Sequence, residues 1–173
     1  MRKMWSPHST EGTTMTTKAD FTEDEWVRIS RAPFVAGMAI TLADPGGPIE
    51  ATKETMASIR SATNPPSREQ LVSEIALDIQ AQVQQRHNPA KGYRPTGSTP
   101  PGEQILDELG QVAAIVKQHA TPEEAAAFAG WLVATAEAAA QAAKEGGFMG
   151  FKAELVSERE TEMIEKVRAA VGG

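Results

Sequence analysis

The stretch APFVAGMAITLADPGGPIE, residues 32–50, decides the reading of this chain. Residues Ala32 to Ala43 carry no charge, and Phe34, Met38 and Leu42 recur at i, i+4 and i+8. Val35, Ala36, Ala39, Ile40 and Ala43 leave no polar face of any width. A helix of that composition is surrounded by other elements. Twelve residues fall short of the roughly 20 that a membrane span needs, so a buried core helix is expected. Gly37 costs about 1 kcal/mol relative to alanine inside a helix, which predicts a neighbouring helix packed closely against it. The run then meets Asp44-Pro45-Gly46-Gly47-Pro48, where the prolines cannot continue the hydrogen-bond ladder and the glycines tolerate positive φ. The corner is stiff, and the next helix resumes near Ile49.

Working toward the N-terminus, Thr22 and Glu25 have capping-box spacing, and three acids sit at the positive end of the helix dipole. A helix therefore starts there, with Trp26 and Ile29 on one face and Pro33 as a kink or a break. Residues 1–20 are polar and without apolar periodicity, as in a disordered tail. Met15 is an alternative start within it. No apolar segment follows Met1 to Trp5, so no secretory signal is read.

Working toward the C-terminus, the second helix is expected to run to about Thr63 with Ile49, Thr52, Met56 and Ile59 facing inward. Ser67 and Gln70 repeat the capping spacing ahead of Leu71, Val72, Ile75, Ile79 and Val83, a helix to about Arg86. Residues 87–102 hold prolines, glycines and only Tyr93 as a large apolar group, and read as an exposed, mobile connection. Ile105, Leu109, Val112 and Val116 mark a helix ending near His119. Thr121-Pro122-Glu123-Glu124 opens an alanine-rich helix suited to close central packing. Ser157 and Glu160 open the last, with Met163, Ile164, Val167 and Val171 inward.

No segment alternates with period two, so the fold class is all-α, a bundle of five to seven helices. The domain spans 21–173, with halves 21–86 and 103–173. Each half places an apolar or Ala-rich helix before a Gly-Gly turn, which leaves an internal duplication as one alternative. A 173-residue chain buries about two thirds of its unfolded surface and needs no staples. With no cysteine, disulfides, thiolate nucleophiles and Cys-based zinc sites are excluded, and a cytoplasmic location is expected. The net charge of −6, with both signs interleaved, gives no basic stripe for nucleic acid.

Two loops stand out. Besides the turn at Pro45, Gly46 and Gly47, the segment GGFMGF, residues 146–151, puts Phe148, Met149 and Phe151 where no helix is expected. They form either a hydrophobic lid over the bundle end or a docking patch. Asp44, Glu50 and Glu54 offer oxygens for Ca²⁺ or Mg²⁺, the competing reading being a helix terminus and two first-turn acids. His8, His87 and His119 lack ligand spacing, and no phosphate cradle or nucleophile motif appears. No cofactor and no catalysis are expected, which leaves protein contact or self-association as the leading reading. A ligand-binding or enzymatic bundle built of ordinary residues is the third, after the metal module described next.

The pairing of ADPGGPI, residues 43–49, with GGFMGF and the VSERE segment, residues 156–160, resembles a family of small uncharacterised bacterial helical proteins, from Phe21 to the C-terminus. The helix, acidic glycine turn and glutamate-bearing helix are more distantly similar to the TerB-like tellurite-resistance proteins. That resemblance implies an acidic metal-binding or stress-response module with Asp44, Glu50 and Glu54 at the matching positions. Pro45 stands where that family has glycine, and the second loop carries no aspartate.

Overall fold

A computed structural model describes residues 14–45, 47–144 and 156–173. Among them are six α-helices and no strand: α1 (Glu23–Ala43), α2 (Pro48–Thr63), α3 (Gln70–Gln84), α4 (Pro101–His119), α5 (Pro122–Lys144) and α6 (Glu158–Gly172). The all-α bundle is as the periodicities require. No helix among the described residues is long and apolar enough to cross a membrane.

Three of the helix starts follow from local chemistry. The Thr22 hydroxyl accepts from the Glu25 amide while the Glu25 carboxylate accepts from the Thr22 amide. Thr121 with Glu124 and Ser157 with Glu160 make the same reciprocal pairs. Each satisfies amides that the first turn leaves without helical acceptors. The box expected at Ser67 and Gln70 does not form. The Ser67 hydroxyl accepts instead from the Glu69 amide, and α3 begins two residues later with Glu69 as its N-cap.

The cores of α1 and α5 form the centre of the bundle. From Ala32 to Gly37 every residue of α1 is buried, and Pro33 lies within one continuous helix. Burial ends near Ile40, since Leu42 is exposed. In α5, Phe128, Trp131, Leu132, Ala136, Ala139 and Ala140 are fully buried, so alanine here serves close packing. α1 meets α2, α4 and α5, and α2 leans on α5, so the contacts run between the two halves of the chain.

Pairwise contacts set the directions. Thr41 meets Glu54 and Arg28 meets Glu108, making α2 and α4 antiparallel to α1. Ser61 meets Thr135 and Glu137 meets Arg168, placing α5 parallel to α1 and α6 antiparallel to both. The end of α5 and the start of α6 therefore lie at the same end of the bundle as the α1–α2 turn.

Two expectations about exposed chain are corrected. The tail does not extend to residue 20: Thr16 is buried, its amide donating to Glu124 Oε1 at 3.2 Å and its hydroxyl to Oε2 at 2.6 Å, and Lys18–Asp20 form a 3₁₀ turn. The α3–α4 connection is not wholly exposed either. Tyr93 is half-buried against the core with the Arg31 guanidinium 5.1 Å from its ring centre, and Ala90 also packs on the core. An aromatic ring and a stacked cation give that segment something to hold.

Candidate functional site

A close approach of α1 and α2 begins at Gly37. A Cβ there would lie 2.1 Å from Ser58 Oγ and 2.9 Å from Ser58 Cβ, so only glycine admits α2 at this depth. The Ser58 hydroxyl donates back to the Glu54 carbonyl at 2.9 Å, which keeps a buried polar group satisfied. One turn further, the Thr41 hydroxyl donates to Glu54 Oε2. Glu54 is only 2% exposed, and burial of a carboxylate demands such partners.

This contact reverses the face expected for α2. Ile49 and Met56 are 67% and 56% exposed and Thr52 is exposed, while Glu54, Ser58 and Ala62 are buried. Only Ile59 of the predicted inner set packs on the core. The reason lies in the partners. Ser61 Oγ and Thr135 Oγ1 are 2.9 Å apart, Trp131 Nε1 donates to the Ser61 carbonyl at 2.9 Å, and Thr41 holds Glu54. A polar seam satisfied on every side, with small side chains that let helices close up, outweighs the burial of one Ile and one Met.

Beside the seam, α1, α2, the end of α3 and the chain just after it enclose a cleft of about 440 Å³. Phe34 and Met38 of α1, Ile59 of α2 and Val83 of α3 give apolar walls, and Glu54 with Thr41 supplies the polar inner wall. Arg86 and His87, both exposed, stand at the rim with Asn88 and Pro89. Arg86 owes its place to how α3 ends. Its amide donates to the Val83 carbonyl at 3.0 Å and that of His87 to Gln82 at 2.8 Å, the paired bonds of a Schellman cap. That cap requires a left-handed residue, and Arg86 takes it with φ of 59° where glycine is the usual occupant.

The predicted site residues fall in different places. Asp44 caps α1, its amide donating to the Ile40 carbonyl, and Glu54 belongs to the cleft. The Glu50 side chain lies outside the described residues. Among the described residues no three His, Cys, Asp or Glu groups come together as a metal would need. Pro45 and Gly47 are exposed at the α1–α2 corner. Gly46, Phe148, Met149 and Phe151 lie outside the described residues.

The sequence singles out none of Thr41, Ser58 and Arg86, and marks His87 only as a histidine without ligand spacing. The usable signal was Gly37: a close approach by α2 needs a small residue opposite, and Ser58 follows Glu54 by one turn. Nothing local marked Arg86, because the residue at a helix C-terminus that turns left-handed is set by where the helix stops.

A second polar centre lies on the other face of α1. Glu108 accepts from Arg28 Nε and Nη2 at 3.0 and 2.7 Å and from Arg31 Nη2 at 3.1 Å. Burial by itself would raise its carboxyl, but the hydrogen bonds from Arg28 and then Arg31 hold it below the usual glutamate value. Two cations on one carboxylate make a structural clamp.

Comparison of the chain with protein-family models, with curated proteins and with solved structures found no match.

Proposed function

We infer that this protein is a small-molecule-binding helical bundle whose ligand enters the cleft between α1, α2 and the end of α3. One observation carries the reading: a buried carboxylate, Glu54, in the lining of a mostly apolar cleft of about 440 Å³. That volume and that lining, mostly apolar with few convergent polar groups, are those of ordinary ligand sites. Binding is the activity assigned. A chain without cysteine supports a cytoplasmic setting for it.

The test is a titration with small amphipathic compounds followed by amide and methyl resonances. Binding in the cleft shifts Met38, Ile59 and Val83 together, and Met38→Trp, which fills the space, abolishes the shifts while the fold persists. Perturbations scattered over the surface, or unaffected by the filling variant, overturn the reading.

A second reading, protein contact or self-association, is favoured by the outward face of α2. Ile49, Thr52 and Met56 lie on one stripe at i, i+3 and i+7, and an exposed apolar face commonly marks an interaction surface. Light scattering across a concentration series tests it: mass that rises with concentration and returns to the monomer in Ile49→Glu with Met56→Lys supports it, and a monomer throughout removes self-association.

A further inference from the structure

We propose that the cleft takes an amphiphile with a single oxyanion head, its apolar body between Phe34, Met38, Ile59 and Val83 and its head at the rim against Arg86 and His87. This class of ligand presupposes the cleft reading above and goes beyond it in the chemistry of the head. Side chains from three helices wall the cleft, and burying an apolar body there is favoured in proportion to the area it removes from water. The ionisable groups of the lining are unevenly placed. Arg86 and His87 are exposed neighbours at the rim, whereas Glu54 is 2% exposed and accepts from the Thr41 hydroxyl. Among the described residues Glu54 is the lining's only acid, so none stands at the rim. An anion keeps most of its hydration at an exposed rim, and carrying it inward past apolar walls costs the desolvation of a charge. The head therefore stays outside while the apolar body enters.

The position of Arg86 is an independent observation. It takes the left-handed place in the α3 cap at φ of 59°, which costs an L-residue free energy and which glycine adopts without penalty. Among the described residues no carboxylate pairs with Arg86, so the fold's own ion pairs do not account for an arginine there. Strain of that kind persists where the side chain is used, and a planar guanidinium matches an oxyanion. His87 adds a second nitrogen donor on the same rim. The chain as a whole carries a charge of −6, so an anion is drawn to this rim by local groups and not by the net charge.

The test measures calorimetric affinity of the whole chain for four probes that share one alkyl chain, each below its micelle concentration: octanoate, octyl phosphate, octanol and octylamine. The better of the two anions is expected to bind about fivefold tighter than octanol, the upper end of what an exposed ion pair contributes, and octylamine no tighter than octanol. Octanoate ahead of octyl phosphate identifies a carboxylic acid, and the reverse order a phosphate monoester; either supports the oxyanion. Arg86→Gly keeps the cap and is expected to raise the melting temperature by relieving the left-handed strain. The same change removes the advantage of the anion and leaves octanol as it was. Glu54→Gln, which keeps an acceptor for Thr41, leaves the order of anion over alcohol in place, because the head is read at the rim. If neither anion outbinds octanol, if the advantage survives Arg86→Gly, or if Glu54→Gln abolishes it, the oxyanion is overturned. Should all the probes shift Met38, Ile59 and Val83 with no preference for an anion, the cleft reading stands and this proposal falls, whereas four probes that leave those residues unmoved overturn both.

Discussion

The two faces of α1 solve one problem in opposite ways. Toward α4, the helix brings Arg28 and Arg31 onto Glu108, and the carboxylate is matched by two guanidinium groups. Toward α2 it brings Gly37 and Thr41, and Glu54 is held by a hydroxyl at the wall of a cleft. The first arrangement spends its charges on itself and is structural. The second rests on a close backbone approach and lines a cleft, which makes it the place to look for binding.

The largest effect that sharpens this contrast should come from Gly37→Ala. A methyl 2.1 Å from Ser58 Oγ forces α1 and α2 apart, and a loss of about 2 kcal/mol is expected by denaturant unfolding. Ser58→Gly in the same chain should recover much of it. Additive losses would show that the α1–α2 approach is not what Gly37 serves.

Next comes the clamp. Glu108→Gln should cost about 1–2 kcal/mol, since two partly buried guanidinium groups lose a charged acceptor in a site that solvent still screens. Ligand affinity in the cleft should not change. A parallel loss of binding would tie the two faces together and break the comparison.

Acid should separate the carboxylates further. Glu108 is lowered by Arg28 and Arg31 against the effect of burial, and Glu124 is lowered by Thr16 and Thr121 against the same effect. A carboxyl whose folded value lies below its unfolded one contributes stability that is complete above the unfolded value, about 4.3, and disappears as pH falls through the folded one. Melting temperature should therefore fall on acidification below about pH 4.3, with a shallower fall in Glu124→Gln. A flat profile in the parent protein would mean that neither carboxylate is paired in solution.

The smallest expected effect is that of cations. Ca²⁺ or Mg²⁺ should leave the melting temperature unchanged, since Asp44 serves as the C-cap of α1 and Glu54 is held by Thr41. A rise abolished by Glu54→Gln would instead assign Asp44, Glu50 and Glu54 to a cation.

Much of the fold was legible because its signals are local. The reciprocal caps at Thr22, Thr121 and Ser157 form as their spacing predicts, and the buried faces of α3, α4 and α6 follow their 3.6-residue periods. Even the tight contact at Gly37 was written in one costly glycine. The candidate site was legible only in part: Glu54 could be named as a carboxylate of interest, though beside Asp44 and Glu50 and not beside Thr41.

What the sequence determined by itself was the succession of helices, their caps, the surrounded character of α1 and the need for a close neighbour at Gly37. Each rests on interactions within a few residues of chain. Tertiary structure alone decided that α2 turns Glu54 and Ser58 inward and Ile49 and Met56 outward, because that choice depends on Thr41, Trp131 and Thr135 satisfying its polar groups from distant parts of the chain. It also decided that α3 stops at Gln84 and hands Arg86 a left-handed turn at the rim of the cleft. A periodic pattern can rank the faces of a helix by hydrophobicity, but only the assembled neighbours determine which face is less costly to bury.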